Sequence, residues 1–236
     1  TGWTIQPKLP RGPIGRFDWF FEFREEDHDD GEKTFLGETG NLNGEDILRI
    51  ICEQTACARF IARHLYNFFV ADEAQVPAWA VTPPVDPEAI DLLADTLVNS
   101  GYDLSSTLRG LFNSDFFKSR DSWYTKVKGP VELVAGVLRL TGEFDRARYE
   151  ILDRYNQASF MGQVLNNPPS VEGWHEGTEW LDSGTLVERI NFASQQLGDA
   201  AKPGVQAMIH NIESGLSGEP SPENLVDACL NQVGAI

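Results

Sequence analysis

Phe17, Trp19, Phe21 and Phe23 alternate with Asp18, Phe20, Glu22 and Arg24. A hydrophobic period of two predicts a β-strand. The polar run Glu25-Glu26-Asp27-His28-Asp29-Asp30-Gly31 follows as a turn, and Lys33-Thr34-Phe35-Leu36-Gly37 is the expected returning strand. Residues 17–37 are thus predicted to form a β-hairpin. Residues 1–16, rich in Pro and Gly and without helical period, are predicted to be an irregular arm.

Beyond Gly37 the period becomes helical. Asn43-Gly44-Glu45-Asp46 places acid in a first turn, where the helix dipole favours it. Ile47, Leu48, Ile50 and Ile51 then fall on one apolar face. A second helix is expected over Ala56–Val70, with Phe60, Ile61, Leu65, Phe68 and Phe69 turned inward. Pro77, Pro83, Pro84 and the following Pro87 make residues 72–86 a loop. Asp86-Pro87-Glu88 is a helix start: a capping oxygen, Pro at the first position, then acid. Ile90, Leu93, Ala94 and Leu97 follow at helical spacing, and Gly101 ends the element.

Asp103 caps the next helix, with Leu104, Leu108, Leu111 and Phe112 expected inward. Gly129-Pro130 opens another, with Val131, Val134, Val137 and Leu138 apolar and Gly142 as its stop. Residues 144–165 read as helical with a break near Asn156, and residues 166–182 as a Gly/Trp/Pro loop holding Trp174 and Trp180. Helices recur near 185–197, 203–214 and 222–233, the last opened by Ser221-Pro222-Glu223. These elements predict a mainly α, multi-helical, orthogonal bundle-like domain with a small N-terminal β-hairpin. The core is expected over residues 17–198, with a helical extension over 199–236 packed on it.

Composition narrows the function. The 236 residues carry 36 acidic and 19 basic side chains, a net charge of -17. Nucleic-acid binding needs clustered Lys and Arg, so a nucleic-acid partner is not expected. Anionic membrane surfaces are disfavoured for the same reason. No apolar run reaches the roughly 18–20 residues that a membrane-spanning helix needs. Three cysteines, Cys52, Cys57 and Cys229, make no disulfide framework. On a continuous helix Cys52 and Cys57 would lie about 140° apart, so they are not expected to bridge.

The acidic turn is the first place to look for a cation, because calcium takes several oxygen ligands. Asp27, His28, Asp29 and Asp30 are the candidate ligands. The EF-hand loop does not fit: with Gly31 at position six, position twelve is Gly37 where a bidentate Glu is required. A solvated hairpin turn explains the same residues. His175-Glu176-Gly177-Thr178-Glu179 superficially echoes a zinc-protease helix, but its glycines predict a loop and no second His stands at i+4. His64 and His210 are read as packing or surface residues. No nucleophile elbow, phosphate-binding loop or dinucleotide fingerprint occurs.

Several segments together resemble the bacterial DUF1800 family. They are His28-Asp29-Asp30-Gly31-Glu32-Lys33 with Leu36-Gly37, then Ala58-Arg59-Phe60-Ile61-Ala62-Arg63-His64-Leu65, where the family more often has Lys in place of His64. Ser100-Gly101-Tyr102-Asp103-Leu104 follows, then Lys126-Val127-Lys128-Gly129-Pro130-Val131-Glu132-Leu133 with Arg139. The series ends with Gly162-Gln163-Val164-Leu165, Pro168-Pro169-Ser170-Val171, Gly173-Trp174 and Trp180. The resemblance implies a helical fold and a large bacterial protein of the cell envelope, often exported, of which this chain is the C-terminal half. It brings no established activity, cofactor or catalytic residue.

On this reading the chain is expected to be a non-catalytic interaction or scaffold module. Its partner is a second protein or the N-terminal half of the same one. The alternative is part of a hydrolase-like or cation-dependent enzyme completed by that half. In the first case an apolar patch is expected near Trp3, Ile5 or the aromatic face of the hairpin. The resemblance also picks out His28, Asp29, Lys33, Lys128, Glu132 and Arg139 as a candidate polar cluster. Glu132 serving only its own first turn, and Arg139 only the surface, is the plainer account of two of them.

Overall fold

A computed structural model describes residues 2–7, 19–144, 146, 148–171, 173–216 and 221–234. It is 59% helical, as the repeated helical periods require, with ten α-helices among the described residues. The chain divides into two units, Thr1–Phe69 with Pro84–Lys118, and Val70–Pro83 with Ser119–Ile236. These boundaries differ from the expected core at 17–198 and extension at 199–236.

The first unit opens on an antiparallel pair that the sequence reading did not anticipate. Strand β1 (Trp3–Pro7) lies in the segment read as an irregular arm, and it pairs with β2 (Trp19–Phe23). The missed signal is short: Trp3 and Ile5 alternate with Thr4 and Gln6. The expected returning segment instead makes its own hairpin, β3 (Lys33–Phe35) with β4 (Glu38–Gly40). Leu36 and Gly37 take φ of 48° and 90°, the left-handed geometry of a two-residue hairpin turn, so the chain reverses before it can reach β2. Phe17 lies outside the described residues.

Helix α1 (Gly44–Glu53) starts with the Asn43–Asp46 capping box and breaks at Gln54, whose extended backbone separates it from α2 (Thr55–Phe69). Helix α3 (Pro87–Asn99) carries Asp86 at its N-cap and Pro87 in its first turn, as predicted, and buries Ile90, Leu93, Ala94 and Leu97. Helix α4 (Leu104–Asn113) buries Leu111 and Thr107 under the Asp103 cap, and the short α5 (Asp115–Lys118) follows. The inward face of α2 corrects the expectation. Ala58, Ala62 and Tyr66 are buried with Arg63 and Asn67, whereas Phe60 and Phe68 are 50% and 68% exposed. Small residues let the α2 and α3 backbones approach, so the large aromatics at 60 and 68 take the outer side. Leu48, Ile51, Leu104 and Phe112 are likewise exposed rather than inward.

The second unit centres on α6 (Pro130–Thr141). Its Val134 and Val137 pack with Ala158 and Met161, on and just after α7 (Ile151–Phe160), and Phe192 of α8 (Ser183–Leu197). Helix α7 is shorter than expected and runs unbroken through Asn156. Helix α9 (Pro203–Gly215) meets the end of α6 closely enough that a side chain at Gly204 would overlap the Leu140 carbonyl. Glu143 ties this region together, accepting from Arg154 at 2.9 Å and from Lys202 at 2.6 Å. Helix α10 (Pro222–Val233) begins at the predicted Ser221 cap.

Candidate functional site

In β1 and β2, Trp3 faces Phe23, Ile5 faces Phe21 and Pro7 faces Trp19. Paired residues share one side of an antiparallel ladder. The ribbon therefore has one wholly apolar face, made of Trp3, Ile5, Pro7, Trp19, Phe21 and Phe23. Trp3 rests on Gly44 at the start of α1 and meets Phe21 edge-on at 5.5 Å. The rest of this face is open: Ile5 is 63% exposed, Phe21 60% and Trp19 59%. On the other side Thr4, Gln6 and Glu22 surround a single aromatic, Phe20.

The acidic turn abuts the Phe23 end of the ribbon. His28 lies 5.7 Å from the Phe23 ring and approaches Gly2, whose φ of 73° carries the backbone beneath it. Asp29 accepts the Gly31 amide at 2.8 Å, and this bond and the nearby Lys33 charge hold its carboxyl below its usual range. Lys33 donates to the carbonyls of Asp29 and Gly31, while Asp27 lies 3.7 Å from Arg24 and Asp30 3.7 Å from His28. Among the described residues no group of three or more His, Cys, Asp or Glu converges to hold a metal ion.

A second feature of the first unit is a cavity of about 560 Å³ lined by α1, α2 and α3 and reaching Tyr102. Helix α3 ends in a Schellman turn, with Tyr102 N donating to Leu97 O at 2.7 Å and Gly101 at φ 66°. That turn swings the Tyr102 phenol to the carbonyl of Cys52 at the end of α1, beside the Cys57 thiol. Burial, then the Cys57 contact, pushes the phenol up to about 12. The break at Gln54 is why both cysteines neighbour one tyrosine; a continuous helix would have splayed them. Both are free thiols. Arg49, on the cavity wall, is held by Glu38 and Glu53 at 3.0 Å each.

The second unit repeats the device. Helix α7 also closes in a Schellman turn, with Gln163 N donating to Ala158 O at 2.9 Å and Gly162 at φ 101°. Gln163 is thereby delivered to the start of α6, where its Oε1 accepts the Val131 amide at 2.9 Å. Glu132 accepts the Gly129 amide at 2.8 Å, so its carboxylate serves its own first turn. Asp72 accepts the Val127 amide at 2.6 Å and pairs with Lys126 at 2.9 Å. Arg189, only 8% exposed, donates to the Lys128 carbonyl at 2.9 Å. Arg139 is exposed in the last turn of α6.

Of the proposed polar cluster, His28, Asp29 and Lys33 thus come together in the first unit. Lys128 and Glu132 flank the opening of α6 in the second, and Arg139 lies two turns further along. His175 stands in a loop, hydrogen-bonded to Glu179 at 2.9 Å, as its glycines predict. His64 is exposed against Phe60, with ring centres 4.5 Å apart, and His210 is exposed on α9. Sequence reasoning missed Asp72 and Arg189. Arg189 had a signal: Thr185, Arg189, Phe192 and Gln196 share one helix face, so an arginine stands in the buried stripe. Asp72 had none, since its partner is 55 positions away.

A mainly helical protein with an aromatic two-stranded ribbon, whose motif residues latch helix ends, is the class these observations define. The chain belongs to the family described as protein of unknown function (DUF1800), whose model matches residues 1–235. No curated protein and no solved structure matches it. Among the described residues no helix is long and apolar enough to cross a membrane.

Proposed function

We propose that the chain is a non-catalytic interaction module of a larger bacterial envelope protein, docking a protein segment on the apolar face of the β1–β2 ribbon. The observation that carries this reading is the exposure of Ile5, Trp19 and Phe21 side by side on one face. Contiguous exposed apolar surface of this kind marks interaction sites. The motif residues add support. Tyr102, Gln163 and Glu132, together with Asp72 and Arg189 outside the motifs, all make hydrogen bonds inside the protein, at helix ends and loops. The envelope placement rests on the family resemblance.

The cavity beside Tyr102 favours the enzymatic alternative, since about 560 Å³ falls within the range of ligand pockets. Against it, Arg49 on the cavity wall is engaged by two glutamates.

The test is photo-crosslinking in the native host, with Phe21→p-benzoylphenylalanine and, as control, Tyr149→p-benzoylphenylalanine at another exposed aromatic site. A discrete protein adduct from position 21 and none from position 149 is expected. No adduct at 21, or equal capture at both, overturns the docking reading.

A further inference from the structure

We infer that the cavity between α1, α2 and α3 binds a small organic cation, an amine with a compact apolar body. The site gives the module a small-molecule ligand besides any protein partner. It makes no use of the ribbon, so either reading can fail without the other.

The cavity measures about 560 Å³, and every residue that lines it belongs to the first unit. Ala58 and Ala94, both buried, lie on its wall together with Val98. Alanines at these positions leave room that leucines would fill. Pockets of this size, with apolar walls and a few polar groups, hold small organic ligands. Tyr102 adds an aromatic ring to the wall. Its φ of 64° follows one of 66° at Gly101, so two successive residues are left-handed. A residue other than glycine keeps such a backbone only where its surroundings enforce it, and such places cluster at ligand clamps. A ring on the wall also suits a cation, which is drawn to the face of a π system.

Hydrogen-bonding capacity selects the charge. The main side-chain donors on the wall are engaged by the protein itself. Arg49 is balanced by Glu38 and Glu53 at 3.0 Å each. The Gln54 amide nitrogen donates to the Ile50 carbonyl at 3.0 Å, and the Tyr102 hydroxyl donates to the Cys52 carbonyl. What remains is chiefly acceptor. Among the described residues the Asp95 carboxylate on the wall has no partner, and neither has the side-chain oxygen of Gln54. An ionised carboxylate only accepts, so it calls for a donor. The helix ends agree. Helix α1 ends at Glu53 and α3 at Asn99, both on the wall, and a helix C-terminus carries partial negative charge. Only α2 begins there, at Thr55. Two negative helix ends against one positive, with an unpaired carboxylate, favour a ligand that donates hydrogen bonds and is positively charged.

The experiment titrates the full chain with phenethylamine at about 0.15 M salt, where exposed charges more than about 8 Å apart are screened. Binding is read by calorimetry and by amide shifts in NMR. 2-Phenylethanol has the same body without the charge, and 3-phenylpropionate carries the opposite charge. The amine is expected to bind at least about tenfold more tightly than either, since charge-assisted hydrogen bonds are roughly twice as strong as neutral ones. The shifts are expected in α1, α2, α3 and Tyr102. n-Butylamine reproduces a lysine side chain and should bind more weakly, because it covers less of the apolar wall. Asp95→Asn, at an exposed position, is expected to weaken the amine about tenfold and to leave the alcohol unchanged. Ala94→Leu fills the cavity and should abolish binding of the amine. If that variant does not fold, Asp95→Asn decides alone.

Equal or tighter binding of the alcohol or the carboxylate overturns the inference. So does amine binding that Asp95→Asn leaves intact, or amide shifts spread over the acidic surface instead of the three helices. Equal binding of n-butylamine would mean that the site takes a lysine of a protein, not a free ligand, and overturns it too. So does the absence of binding by phenethylamine at millimolar concentration.

Discussion

The Arg189 guanidinium donates to the carbonyl of Lys128, 61 positions earlier in the chain, across 2.9 Å. This bond holds the segment that opens α6 against α8. Among the described residues its Nε and second terminal nitrogen are buried without a hydrogen-bond partner, and burial pulls the guanidinium below its usual pKa.

A buried charge so poorly compensated contributes little net stability. Replacing such a group with an apolar side chain of similar volume is often neutral or stabilising. Arg189→Met is therefore expected to lower stability by no more than about 1 kcal/mol, the net worth of one lost hydrogen bond. Urea unfolding of the two proteins checks this. A loss of about 3 kcal/mol or more would mean that the two buried nitrogens meet a strong partner in solution.

Gly44 is the seat of Trp3. A Cβ there would overlap the indole ring, so Gly44→Ala must displace Trp3 from the start of α1. Overpacking of this kind costs about 1–3 kcal/mol. The expected signature is local: faster hydrogen exchange in β1 and β2, with the amides of α6 and α8 unchanged. Unaltered exchange in the ribbon would show that Trp3 does not anchor it.

Tyr102 gives a prediction at high pH. Its folded pKa of about 12 lies above the ordinary phenol value of 10. The buried neutral phenol therefore contributes stability in full below pH 10, and that contribution is lost as pH rises through 12. Tyr102→Phe removes the bond to the Cys52 carbonyl, at a cost of about 1 kcal/mol near neutrality. Unfolding midpoints at pH 8 and above pH 11 should show the difference between the two proteins shrinking. A phenolate absorbance step near pH 10 assigned to Tyr102 by the variant would contradict it.

Glu143 gives the opposite sign. Burial raises its pKa, but the hydrogen bonds and charges of Lys202 and Arg154 outweigh burial and hold the carboxyl below 4.5. Its contribution is present above the unfolded value and is lost as pH falls through the lowered folded one. Glu143→Gln should therefore destabilise the protein at pH 7, with the penalty shrinking as pH falls below the ordinary carboxylate value. A penalty that stays constant with pH would show that packing, not charge, makes the clamp.

The helices were legible because their signals are local. Asp86-Pro87, Asp103, Gly129-Pro130 and Ser221-Pro222 hold their starts wherever the rest of the chain lies, and Gly101 and Gly142 supply left-handed stops. The aromatic alternation of β2 was equally readable. What it would pair with was not. Lys33–Phe35 and Trp3–Pro7 are both short extended segments, and only the turn at Leu36–Gly37, which closes β3 onto β4, excludes the first as the partner of β2.

The candidate site divides in the same way. An acidic turn beside a run of aromatics was visible in the order of residues, because charge and period are properties of a few neighbours. Which aromatics stay exposed was decided by tertiary packing: Phe60 and Phe68 lost the interior to Ala58 and Ala62, since close helix approach rewards small side chains. The latches were also beyond the sequence alone. Tyr102 reaches Cys52, Gln163 reaches Val131, Asp72 reaches Val127 and Arg189 reaches Lys128, each across 32 to 61 positions. A hydrogen bond between residues so far apart leaves no periodic trace, because its geometry exists only once the helices that carry both partners have packed.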